Sequence, residues 1–545
     1  MTKTDFLKTV SNPKFLLFTI LLVGGLLRFW GLGSAEIFHD EGFYTFRSFG
    51  YLDYIQNDDQ TTPIQWFRDS ALPSWTKLSF HDHPPLYFLI QHSSFIIFGD
   101  SLGAARLPSA VFGTLSILLL YFIAKRILKN EYGALIAAAI FSITHVHAWV
   151  SRSSLMEGVQ LFFILLNILF FIKFLENRKY FYLFGVTAGL MLLTKYTSLF
   201  LIPVYFIYAI ISRRDIFKSV ELYAATTMAL VIFSPVIYYN YELYKFTGHF
   251  DLQLAYLLGE ETPEWRASFG KVQDPFSDIG INMLAMYSIP FLVLFLLGVI
   301  YSIFSFKKLG NNWIIFGWLS IAFIDIMLVA IGSAYRFLSL YSIFAVFFVA
   351  LGLYFIREKV ADKYLTTVIV SAFLIYEVFF LVDGLFLTFP DFGVKKLDDY
   401  LSTATYGKRS LGIPQSPNRH LDAIIKKYAL RLPEGDKYIA IIYDENIALS
   451  SKLWLFGRRT MYKGITAMTT KFFRSVMQEK GLDFFKDYEM YFVKASPHTS
   501  LNPNFSTNDA EIFENFLVNE LSIRPHEIIY GHKSLPMFTV YKFKL

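Results

Sequence analysis
Two short stretches concentrate carboxylates and imidazoles: His39-Asp40-Glu41, and His81-Asp82-His83 running into Pro84-Pro85-Leu86. Asp and His side chains exchange protons readily in enzyme sites, so either stretch can supply a general base. The same composition also describes an ordinary solvated loop, where Asp and His are common. Among these residues Asp40, Asp82, His39 and His83 carry oxygen and nitrogen donors that a divalent cation could use, magnesium or manganese ahead of zinc. Their spacing follows no established metal signature, and the chain has no cysteine, which rules out thiolate sites and disulfides.

A second set of residues is basic and sits at the ends of apolar segments. Arg28 lies near the end of the first segment and Arg106 at the start of the second. Arg152 and Glu157 share a later connection near His145 and His147, Lys195 stands beside Tyr196, and Tyr335 precedes Arg336. A charge held in hydrocarbon costs roughly 2.5–3.5 kcal/mol at worst. Several cations gathered on one membrane face would form a cavity for an anion, such as the phosphate of a lipid headgroup. The alternative is that each side chain snorkels on its own to water or lipid phosphate.

The elements that must position these groups are membrane helices. Of the 545 residues, 54% are hydrophobic and 17% charged, against about 45–50% apolar and about 25% charged in soluble domains. Phe and Leu concentrate before Phe389, which predicts a membrane domain over 1–389 and a water-soluble domain over 390–545. A crossing helix needs roughly 20 apolar residues. Segments 15–32, 104–124, 132–150, 157–175, 180–195, 197–212, 220–240, 281–304, 312–332, 336–356 and 364–388 qualify, about eleven crossings in all. The first of these is expected to be a span rather than a cleaved signal, since no small-residue cleavage site accompanies it.

Lys and Arg fall in every second connection: Lys125-Arg126, then Arg178-Lys179, Arg213-Arg214, Lys307-Lys308 and Arg357 with Lys359. The positive-inside rule therefore predicts a cytoplasmic N-terminus, with loops 33–103 and 241–280 and the C-terminal domain outside a plasma (inner) membrane. Within loop 33–103, residues 41–54 and 87–98 read as short helices lying in the interface. Beyond 390, strands are expected at 438–443, 488–493 and, exposed, at 538–543, with helices at 471–480 and 509–520, making a small α/β domain. No phosphate loop or nucleophile elbow occurs there, and no basic tract marks a nucleic-acid face.

Taken in order, several motifs resemble one family. They are Arg28-Phe29-Trp30-Gly31-Leu32, His39-Asp40-Glu41-Gly42-Phe43-Tyr44, His83-Pro84-Pro85-Leu86, Ala105-Arg106-Leu107-Pro108, Ser151-Arg152 with Glu157, Leu193-Thr194-Lys195 and Tyr335-Arg336-Phe337-Leu338. Their order and spacing look like the protein O-mannosyltransferase-like family of GT-C glycosyltransferases, which includes the aminoarabinose transferases. The resemblance implies a polytopic helical GT-C fold and an inverting sugar transfer outside the cytoplasm. It also implies a polyprenyl-phosphate-linked sugar donor and a protein, lipid or glycan acceptor met among membrane lipids. By the same resemblance Asp40 would be the general base, with Glu41 and Asp82 as further acids. His83, Arg106, Arg152, Lys195 and Arg336 would face the donor phosphate, and Arg28, His39, Tyr44, His81, Glu157 and Tyr335 would complete the pocket. At Phe337 the chain departs from the Tyr commoner in the family. Two rival classes are a transporter, against which the lack of an internal repeat counts, and a membrane protein that binds polyprenyl lipid or glycan without turnover.

Overall fold
All eleven apolar segments are helical in the computed structural model, which describes residues 12–37, 40–50, 82–258, 275–360, 362–388, 390–408, 438–503 and 505–545. Among the described residues six helices are long and apolar enough to cross a membrane: Leu102–Leu128, Met156–Glu176, Val220–Lys245, Trp313–Ile331, Tyr335–Lys359 and Tyr364–Leu387. The protein is a multi-pass helical membrane protein carrying a small C-terminal sheet. Two segments expected as single spans are broken. Glu131–Ile143 and His145–Arg152 meet at 57°, and Pro275–Met286 and Ile289–Phe304 at 118°. At the second break Ser288 caps the Phe291 N–H at 3.1 Å and Pro290 occupies the first turn, a pairing that starts a helix and cannot continue one.

The chain separates into two compact units: Met1–Leu32 with Ser74–Thr388, and Gly33–Pro73 with Phe389–Leu545. Sequence reading kept all of loop 33–103 with the membrane part, whereas the structure groups its first portion with the C-terminal residues. Within the membrane unit, helices approach closely where a side chain is missing. A Cβ on Gly298 would collide with the Phe348 carbonyl, and one on Gly352 with the Leu294 carbonyl, so Ile289–Phe304 and Ser339–Lys359 pack backbone to backbone. Small residues at such crossings supply the contact that hydrophobicity cannot supply in lipid.

Among the described residues of the second unit, five strands form one mixed sheet in the order β2-β1-β3-β5-β4. They are β1 Tyr438–Tyr443, β2 Thr466–Thr469, β3 Tyr488–Ala495, β4 Glu527–Tyr530 and β5 Pro536–Phe543. Strand β1 runs parallel to β2 and β3, while β5 is antiparallel to β3 and β4. The expectation of an exposed strand at 538–543 is corrected: β5 lies between two partners, with Phe538, Val540, Tyr541 and Phe543 buried. Its alternation misled because both faces are covered. Phe543 and Tyr541 join Phe473, Phe492 and Phe513 in the core under the helices Thr470–Lys480 and Asp509–Asn515.

The helix Asp40–Gly50 belongs to this second unit. Gly42 lies so close to Ser450 that a Cβ would strike its carbonyl. Phe46 packs with Leu453, Met461 and Tyr462, and the Tyr462 hydroxyl donates to the Phe46 carbonyl at 3.2 Å. Just upstream, Glu36 accepts from the Val394 N–H at 2.9 Å and the Lys395 N–H at 3.2 Å, capping the helix Val394–Ala404. Burial pushes the Glu36 carboxyl up to about 7, against the pull of those two N–H groups. Deeper in the unit, Asp398 meets Arg458 at 2.7 Å and Arg459 at 2.8 Å. Burial there works to raise the Asp398 carboxyl, but the two guanidiniums outweigh it and hold it at about 2.

Candidate active site
Lys195 owes its position to a break in the chain. It stands in extended conformation between the helix Phe181–Thr194 and the tight turn Tyr196–Phe200, so its side chain leaves the helical track. Glu157 sits in the first turn of Met156–Glu176, where the helix dipole favours a negative charge. Arg336 comes from the short turn Tyr335–Leu338, between two crossing helices. These three converge. Lys195 Nζ lies 2.5 Å from Glu157 Oε1, and Arg336 Nε lies 3.5 Å from the same oxygen. Lys195 and Glu157 are buried, while the Arg336 side chain keeps 26% of its surface exposed. Both cations also face the Phe337 ring, each 4.8 Å from its centre. Tyr335, next to them in sequence, is exposed.

Lys195 and Arg336 place two cations around the Glu157 carboxylate, where Lys195 and Glu157 are both buried. Such a group is costly unless its partners are fixed, and it suits an incoming anion with two or more negative oxygens. Arg336, the partly exposed member, offers the guanidinium fork.

The other basic residues have main-chain partners. Arg152 donates to the Leu27 carbonyl at 2.7 Å and Arg106 to the Leu32 carbonyl at 3.0 Å. Arg28, fully buried, donates to the carbonyls of Gly24 at 2.7 Å and Ser142 at 3.1 Å, and its other nitrogen lies 2.8 Å from His147 Nδ1. The last carbonyls of a helix have no partner within it. Arg106 and Arg152 thus close the end of the first helix, Pro13–Phe29, and the turn after it. Arg152 also stacks on Phe386, 4.5 Å from the ring centre.

Asp82 and His83 are buried and meet each other, Asp82 Oδ2 lying 2.9 Å from His83 Nδ1. Close enough to feel the Asp82 charge is Asp251, an acid whose sequence context carries no motif. It accepts from the Tyr196 hydroxyl at 2.6 Å and from Asn240 Nδ2 at 2.8 Å, and it caps the helix Leu252–Leu258 through the Gln253 and Leu254 N–H groups, both at 3.2 Å. Burial pushes the Asp251 carboxyl up to about 6, with the Asp82 charge acting in the same direction and the hydrogen bonds opposing. Asp251 therefore anchors the residue that follows Lys195. A lone acid in a long loop looks like a surface residue in sequence, so only its nearness to Gly248, a helix stop, hinted at a capping role.

Asp40, Glu41 and Tyr44 lie on the helix Asp40–Gly50 of the second unit, with Asp40 in the first turn at the helix N-terminus and Glu41 and Tyr44 buried. His39 and His81 fall outside the described residues. Among the described residues no three His, Asp or Glu side chains gather into a group able to hold a metal.

Comparison with known proteins agrees with this architecture. Residues 82–239 match the family described as dolichyl-phosphate-mannose-protein mannosyltransferase. Over 166 residues, 30% of the chain, the sequence is 25% identical to an uncharacterised protein of Aquifex aeolicus (strain VF5), and the match spans 33% of that relative. The fold is similar to that of ArnT from Cupriavidus metallidurans. Against ArnT bound to undecaprenyl phosphate the TM-score is 0.51, with 12% identity over 96% of this chain and 97% of that one. Against apo ArnT it is 0.53, with the same identity and coverage. The chain thus shares the fold of ArnT, in keeping with what its motifs implied.

Proposed function
We propose that this protein is an inverting glycosyltransferase that moves a sugar from a polyprenyl-phosphate donor to an acceptor hydroxyl on the extracytoplasmic face of the plasma membrane. The group of Lys195, Glu157 and Arg336 carries the reading, because its two cations, one of them a partly exposed guanidinium, suit a phosphate. Its support comes also from the GT-C fold and from ArnT, whose structure holds undecaprenyl phosphate.

The chemistry is a single displacement. The acceptor oxygen attacks the anomeric carbon on the face opposite the phosphate, and its proton passes to the Asp40 carboxylate. The bond from the anomeric carbon to phosphate oxygen breaks, and polyprenyl phosphate leaves with the electron pair. Lys195 and Arg336 neutralise the charge that grows on the leaving group, the moment at which fixed cations lower a barrier most. One base suffices, because the donor is already activated and no covalent sugar–enzyme intermediate is formed.

The test uses purified full-length protein and a polyprenyl-phosphate sugar. Asp40→Asn should lower turnover at least about 100-fold, the scale of a lost general base, while donor binding persists. Lys195→Ala should weaken donor binding itself. Undiminished transfer in Asp40→Asn removes the assigned base. Tight donor binding without transfer or hydrolysis by the unaltered protein would make it a binder instead.

A further inference from the structure
We propose that the membrane unit holds one anionic phospholipid at its basic end, with the phosphate on Arg357 and one acyl chain in the cavity beneath. This site shares no residue with the sugar-transfer group and does not depend on that assignment.

A cavity of about 380 Å³ opens among the helices at the end of the unit that carries Lys125, Arg126, Lys307 and Lys308. That volume falls within the range of small-molecule sites, which are mostly apolar with a few polar groups fixing orientation. The rim here is polar, with Asn130, Asn311, Thr366 and Arg357, and Asn311 is held in place by donating to the Ile127 carbonyl at 2.8 Å. The floor is apolar and reaches the buried Ile343 and Phe344. Arg357 and Ile343 lie on one helix, Ser339–Lys359. Their separation in sequence corresponds to about 21 Å at 1.5 Å per residue, enough to span one leaflet's hydrocarbon, about 15 Å.

Charge names the headgroup. Near the rim three cations are already neutralised: Lys125 pairs with Glu131 at 2.6 Å, Arg126 with Glu176 at 3.7 Å, and Lys308 with Glu358. Arg357 is exposed and has no carboxylate at ion-pair distance among the described residues. An unneutralised guanidinium above an apolar shaft matches a phospholipid whose headgroup carries net negative charge, and basic pockets between membrane helices are known to take such headgroups.

The experiment counts lipids retained by the full chain, by native mass spectrometry, after exchange into nanodiscs of phosphatidylglycerol or phosphatidylcholine. One phosphatidylglycerol per chain should persist, with about fivefold preference over phosphatidylcholine, the worth of one basic side chain at an anionic headgroup. Arg357→Ala, a change at an exposed side chain, should erase that preference. Ala350→Trp, which fills the cavity, should remove the bound lipid while sugar transfer continues. Equal retention of both lipids, or unchanged retention in Arg357→Ala, overturns the proposal. Displacement of the lipid by polyprenyl phosphate overturns it as well, by assigning the cavity to the donor's tail.

Discussion

At the scale of residues, Glu157 holds the electrostatic balance of the membrane unit's cation group. It lies within ion-pair distance of both Lys195 and Arg336. Breaking a buried pair by removing one partner costs about 3–5 kcal/mol, because the surviving charge is left in a poor solvent. Glu157→Gln should therefore lower the melting temperature measured in detergent. Adding Lys195→Met should recover part of that loss without restoring transfer. If Glu157→Gln melts with the unaltered protein, the pairing contributes nothing to the fold and the preorganised phosphate site loses its foundation. Lys195, Arg336 and Glu157 were legible in the sequence because charges stand out at the ends of apolar runs. Arg28, Arg106 and Arg152 stood out equally, yet sequence could not show that main-chain carbonyls would engage them. Asp251 was not legible at all, since nothing local separates a buried capping acid from a solvated one.

Among elements, breaks matter as much as helices. Lys195 projects from an extended residue between two helical segments, and Arg336 from a short turn between two crossings. Hydropathy records the apolar run on either side and is blind to the turn itself, which explains why 132–150 and 281–304 looked continuous. The helix Asp40–Gly50 shows the same limit. Its residues were expected at the membrane interface, but its companions in space are Ser450, Leu453 and Tyr462 of the second unit. A Gly42→Ala substitution should disturb that seat, since overpacking costs about 1–3 kcal/mol. Transfer should fall and limited proteolysis within the second unit should rise, although Gly42 has no chemistry of its own. Native activity and protease resistance together in Gly42→Ala would mean the helix is not held where the structure has it.

For the whole molecule, topology decides whether the chemistry can occur where it is proposed. The chain has no cysteine, so a single introduced thiol reports one position without background. Both His498 and Lys179 are exposed in the structure. A membrane-impermeant maleimide should label His498→Cys in intact cells, and should label Lys179→Cys only after permeabilisation. The reverse pattern would put Asp40 and the C-terminal sheet in the cytosol and end the transfer proposal. Composition alone determined that this chain crosses a membrane many times and carries a polar α/β unit at its end, because a helix in lipid must be long and apolar whatever surrounds it. Tertiary structure decided which strands are interior, which acids are buried and which cations share a carboxylate. Those outcomes depend on contacts between residues far apart in the chain, and neither hydropathy nor local spacing encodes them.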